Sequence, residues 1–152
     1  MKKLLFLSLT LLSLTFVNAQ DTSKVELTPY VATGISIPNT IDFSASSYWS
    51  AEVGVMVDNV SFAGVFGVNN LNSFNKGIDS YWYEGKMAYS FRLGFVDGYG
   101  VFGIGSYIGT KGSIFLEYGG GISKSFGKLG TFLQISSWDG ITYCTPGLSF
   151  SF

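Results

Sequence analysis

The chain contains no histidine and a single cysteine, Cys144. Without histidine, a Ser-His-Asp triad cannot be assembled from it. A zinc site of the usual Cys/His kind has too few ligands to draw on. One cysteine cannot close an internal disulfide, so in an oxidising compartment the fold has to hold without one. Charge is also scarce, at 12 % of residues against about 25 % in ordinary soluble domains. The formal net charge is −1 and there is no basic stripe, which speaks against a nucleic-acid partner. Glycine is plentiful, but Gly103-Ile104-Gly105 and Gly119-Gly120-Gly121 do not fit GxGxxG and precede no helical pattern, so no nucleotide loop is read. These absences leave no catalytic apparatus built on His or Cys, no metal site of the ordinary type and no nucleotide loop. An acid-base pair of glutamates is the enzyme reading that remains, and a non-enzymatic role without a cofactor is expected.

What is present begins with a leader pattern. Met1-Lys2-Lys3 is positive, Leu4 to Val17 is apolar, and Val17-Asn18-Ala19 ends in small residues. That tripartite order is a secretory signal peptide, residues 1–19, cleaved after Ala19. A spanning helix would need about 20 apolar residues, more than this run supplies. No cysteine stands near the cut, so a lipoprotein anchor is not supported. The remaining 133 residues, 20–152, form one domain by length. Lys2 and Lys3 leave with the leader, so seven basic side chains face ten acidic ones, a net charge of −3.

Aromatic residues make up 17 % of the chain. Such a composition covers a water-facing surface poorly, yet residues 20–152 hold no apolar stretch long enough to cross a membrane as a helix. A closed β-barrel is the other architecture that satisfies every backbone group in lipid.

Residues 25–152 alternate with period two, as half-buried strands do. Glu26, Thr28, Tyr30, Ala32 and Gly34 oppose Val25, Leu27, Val31 and Ile35. Trp49, Ala51, Val53, Val55 and Val57 oppose Ser50, Glu52 and Gly54. Val60, Phe62, Phe66 and Val68 oppose Ser61, Ala63 and Gly67. The fourth segment is clearest: Tyr81, Tyr83, Met87, Tyr89, Phe91, Leu93 and Phe95 against Trp82, Glu84, Lys86, Ala88, Ser90 and Arg92. Four more follow, about 99–108, 114–123, 131–137 and the terminal segment ending at Phe152. Eight strands of roughly 9–11 residues make an antiparallel up-and-down transmembrane barrel of the smallest size.

Tight Asn/Asp/Gly turns are expected at Asp58-Asn59, Val96-Asp97-Gly98 and Gly127 to Gly130. Between them fall the other connections, 38–47, 69–79, 109–112 and 138–140, on the opposite rim. Pro146 cannot donate to a ladder, so a bulge or an unpaired carbonyl is expected opposite it.

The last segment, Leu148-Ser149-Phe150-Ser151-Phe152, alternates apolar and small and ends on Phe. It resembles the C-terminal signature of bacterial outer-membrane barrels. The whole of 20–152 is similar to the small eight-stranded family typified by outer-membrane protein X and the membrane domain of outer-membrane protein A. Unlike the latter type, it is expected to carry no periplasmic peptidoglycan-binding domain, and unlike the former it is expected to lack long protruding strands. The resemblance implies the outer membrane of a Gram-negative bacterium as the address, outer-membrane lipid as the surroundings, and recognition of Phe152 by the barrel assembly machinery.

Within that frame, two rings of outward aromatics are expected as interface girdles: Trp49, Tyr81 and Tyr83 at the outer rim, and Phe95, Phe126, Phe150 and Phe152 at the inner. Lys124, beside Phe126, is expected to reach for headgroups. Inward charges at Glu26, Glu52, Glu84, Lys86, Arg92 and Glu117 are read as an ion-paired plug, because an eight-stranded interior is just wide enough for side chains to fill. Lys86 is expected to bridge Glu52 and Glu117, and Arg92 to reach Glu26. The expected role is structural or surface-interacting, with an extracellular partner met through loops 38–47 and 69–79. Two rivals stand beside it: a narrow channel through the charged interior, and a soluble periplasmic lipocalin-like barrel with its apolar face turned inward.

Overall fold

A computed structural model describes residues 27–39, 47–69, 81–108 and 113–152. The expected leader and Glu26 lie outside the described residues, as do most of loops 38–47 and 69–79.

Alternation forms the strands, and their edges close on one another. Eight strands follow in order: β1 Leu27–Pro38, β2 Tyr48–Val57, β3 Val60–Asn69, β4 Tyr81–Leu93, β5 Val96–Ile108, β6 Ile114–Phe126, β7 Leu129–Trp138 and β8 Ile141–Ser151. Each pairs antiparallel with its sequence neighbours, and β8 returns to β1, so the sheet is a closed barrel. Closure removes every free edge, which a sheet in lipid requires. The period-two phase holds throughout. Val53 of β2 is 66 % exposed on the outer face, and Phe102 and Ile104 of β5 are exposed there too, while Tyr30, Trp82, Val101, Phe115 and Glu117 are buried inside.

At the end of the barrel where β2 meets β3, β4 meets β5 and β6 meets β7, each connection is a two-residue turn. Val57 faces Val60, Leu93 faces Val96 and Phe126 faces Leu129. Their first turn residues, Asp58, Gly94 and Gly127, have φ of 53°, 66° and 68°. A positive φ at that position matches the right-handed twist of the strands it joins. The second turn therefore falls at Gly94-Phe95, two residues before the expected Val96-Asp97-Gly98. Asp97 and Gly98 are ladder residues, opposite Arg92 and Phe91. The third is Gly127-Lys128 alone, which lengthens β7 to ten residues. At the opposite end Asp139-Gly140 joins β7 to β8, with φ of 52° and 75°.

Pro146 does not introduce a bulge. The β1–β8 register is the same on both sides of it, from Gly34↔Gly147 to Ile37↔Cys144. The ladder is interrupted instead opposite Ile35 and Ser36, where Pro146 has no N–H to give. A side-chain bond spans the gap: Thr145 Oγ1 donates to Ser36 Oγ at 2.8 Å inside the barrel. On its other edge Pro146 stays in register with Leu133 of β7.

Candidate functional site: a lumen in three layers

The inward side chains sort by depth into three layers. Nearest the Asp139-Gly140 end, aromatic rings fill the barrel. Trp82 of β4, Phe115 of β6, Trp138 of β7 and Tyr143 of β8 form a buried cluster with Val65, and Tyr48, Tyr107 and Ile141 pack against it. Trp138 stacks on Tyr143 with centroids 3.8 Å apart and planes 9° apart. Trp82 meets Phe115 edge-on at 5.6 Å, and Tyr107 meets Phe115 at 5.1 Å. Rings this large fit a narrow barrel because glycine lies beneath them. A Cβ at Gly67 would overlap the Trp82 indole, and one at Gly105 would overlap the Phe115 ring. At the rim the Tyr107 hydroxyl donates to Asp139 Oδ2 at 2.7 Å.

The middle layer holds the charges. Lys86 Nζ donates to Glu52 Oε2 in an ion pair, and the Tyr30 hydroxyl donates to Glu52 Oε1 at 2.5 Å. Lys86 crosses from β4 to β2 over Ala63, its register partner on β3, whose small side chain leaves the path open. Glu117 is served separately. Its Oε1 accepts from Gln134 Nε2 at 2.8 Å and from Ser136 Oγ at 2.5 Å. The structure thus brings Lys86 to Glu52 but not into a bridge with Glu117, because β7 supplies nearer donors. Glu84 is 4 % exposed, lies over Gly103, and its Oε1 has no partner among the described residues.

Arg92 stands apart from this layer. It is exposed, not part of a lumen network. The β3–β4 ladder stops at Val60↔Tyr89, so Arg92 lies three residues beyond its neighbour on that side, on a protruding β4–β5 hairpin. There the guanidinium keeps its hydration, which burial without a partner would forfeit. Its expected partner Glu26 lies outside the described residues.

The third layer, toward the two-residue turns, is open. A cavity of about 140 Å³ is lined by hydroxyls and a few apolar groups, with Lys86 and Glu52 at its inner limit.

On the outer surface Trp49, Tyr81 and Tyr83 lie exposed near one rim, and Phe126, Phe150 and Phe152 near the other. Phe95 occupies a turn and is 81 % exposed. Lys124 Nζ donates to the Phe95 carbonyl and sits 5.9 Å from the centre of that ring. Phe66, stacked on Tyr81 at 6.0 Å, extends the outer set. Sequence reasoning missed Tyr48, Tyr107, Trp138 and Tyr143 as plug residues, and Gln134 and Ser136 as the Glu117 donors. A signal existed for Trp138, which continues the inward phase of Gln134 and Ser136 into what reads as a turn.

No protein-family model matches the chain, and no curated protein does. Solved structures do. The N-terminal β-barrel domain of Pseudomonas aeruginosa OprF is 12 % identical over 85 % of this chain and 100 % of that one, with a TM-score of 0.66. A de novo designed transmembrane β-barrel is 15 % identical over 88 % and 100 %, with a TM-score of 0.62. The Yersinia pestis outer-membrane protein Ail is 14 % identical over 84 % and 100 %, with a TM-score of 0.50. At these identities the likeness is one of architecture. The chain has the fold of the small eight-stranded outer-membrane β-barrels.

Proposed function

We propose that this protein is an exported outer-membrane barrel with a structural or surface-contact role, and that its lumen does not conduct. The observation that carries the reading is a closed sheet whose outward face is apolar while aromatic rings fill one end of its interior. A sheet with that face in water would present far more contiguous apolar surface than a soluble protein tolerates. The lipocalin-like alternative needs the reverse phase, with Leu, Val and Phe inward, and Val53, Phe102 and Ile104 point out. A channel needs a continuous aqueous path, which Trp138, Tyr143 and Trp82 oppose. Loops 38–47 and 69–79 remain the proposed contact surface for an extracellular partner.

Fractionation and conductance test the reading together. The protein is expected to stay with the membrane pellet through an alkaline wash and to give no steady unit conductance in planar bilayers. Release into the soluble fraction rejects the membrane barrel, and discrete conductance rejects the closed lumen.

Phe152 belongs to the same proposal. Its N–H donates to the Pro29 carbonyl at 3.0 Å and its ring meets Phe150 edge-on at 5.4 Å, while the side chain is exposed. Little of the folded barrel rests on that side chain, so it is available for recognition during assembly. Deleting Phe152 is expected to lower the level in outer membranes while leaving refolding into detergent nearly unchanged. Equal membrane levels of the parent and truncated chains reject the recognition role.

A further inference from the structure

We propose that the open third of the lumen is a binding cup for one neutral sugar ring, entered from the end that carries the two-residue turns. The inference rests on lumen geometry and stands whichever partner the loops meet.

Shape is the first argument. The aromatic layer closes the far end, so the cavity is a blind cup of about 140 Å³. A cavity of roughly 150 Å³ accepts a benzene-sized ring. A pyranose is bulkier, but this cup is open at its mouth, so the ring's substituents can extend out of it.

Wall chemistry is the second. Ser61, Ser90, Ser123 and Ser149 line the cup together with Tyr99 and Phe132. Serine hydroxyls both donate and accept, which suits a ligand that carries hydroxyls on every side. The Phe132 ring offers an apolar face to the C–H side of a sugar, and the Tyr99 hydroxyl adds one more donor and acceptor to the wall. At the floor, Lys86 spends one N–H on Glu52, and its ammonium has three to give. Donors therefore remain for a ligand oxygen.

Charge is the third. Lys86 and Glu52 are the charged pair at the floor and offset each other. Lys124 at the mouth keeps its charge but has the outward phase, paired with Thr131, and its Nζ donates to the Phe95 carbonyl at the rim. An anion arriving at Lys86 would also meet Glu52, and an aliphatic ligand would strip water from the serines without replacing their hydrogen bonds. A neutral, hydroxyl-rich ring avoids both costs.

The test uses the full chain refolded in a zwitterionic detergent, because alkyl glycosides would themselves compete for the cup. Methyl β-D-glucopyranoside is the test ligand, and saturation-transfer NMR from protein to its ring protons is the readout. Saturable transfer is expected. Ser90→Phe, which fills the cup beside its register partner Tyr99, is expected to abolish it. Tyr99→Phe keeps the ring and removes one hydroxyl, and is expected to weaken binding about tenfold, the effect of losing one hydrogen bond. A heat-shifted band on a detergent gel checks that each variant is folded. If Ser90→Phe does not fold, Tyr99→Phe decides alone. Absent transfer to the parent overturns the proposal. So does undiminished transfer in folded Ser90→Phe or in Tyr99→Phe, or equal transfer to benzyl alcohol, which would mark a general apolar pocket.

Discussion

Lys86→Met is expected to unfold at a clearly lower denaturant concentration than the parent, with a loss of about 3–5 kcal/mol, the usual cost of removing one partner from a buried ion pair. Methionine keeps the length of the side chain and takes away the ammonium. Among the described residues Glu52 would then retain the Tyr30 hydroxyl as its single donor, in a lumen that also holds Glu84 and Glu117. The loss comes from the stranded carboxylate and not from the worth of the pair. Adding Glu52→Gln to Lys86→Met is therefore expected to recover part of it, since a neutral amide needs no counter-ion. Equilibrium unfolding in detergent, followed by the heat-shifted band, reads both variants. An unchanged midpoint in Lys86→Met would mean that water solvates the middle layer, and the packed-lumen description would fail there.

Trp138→Ala is expected to have an effect of similar size through different physics. Its indole stacks on Tyr143 and lies 6.1 Å from the rings of both Tyr48 and Trp82, so four strands meet on it. Truncating a large buried aromatic costs about 3–5 kcal/mol, the transfer loss plus the cavity left behind. Neighbours here cannot collapse into the space, because a closed barrel holds its wall positions through the ladder. Trp138→Phe is expected to recover most of the loss. The double variant Trp138→Ala, Tyr143→Ala should also raise ion conductance above a silent parent, since both stacked rings of the plug would be gone. Parental stability in Trp138→Ala would show that the rings sit loosely, and the closure argument would lose its basis.

The two experiments separate layers that composition alone runs together. Inward Glu and Lys residues invite a reading in which charge closes the barrel. The structure divides the work: aromatic rings close one end, a sparse set of charges and amides fills the middle, and hydroxyls face the open remainder. This division is why Lys86→Met bears on stability, whereas Trp138→Ala with Tyr143→Ala bears on conductance.

The inward or outward assignment of nearly every strand residue was legible in the sequence by itself. So were the strand number, the closed architecture and the Asp58-Asn59 turn. The reason is local: successive side chains of a strand point to opposite faces, so a period of two can be read without knowing what lies across the sheet. What faces what across the lumen was not legible. It depends on the stagger between strands that are not adjacent in sequence, which is set when the sheet closes. Lys86 meets Glu52 because Ala63 lets it pass, and it misses Glu117 because Gln134 and Ser136 arrive first. The end of the wall was hidden for the same reason. Arg92 has the inward phase, but β3 has already turned three residues earlier, so only the tertiary structure puts its guanidinium in solvent.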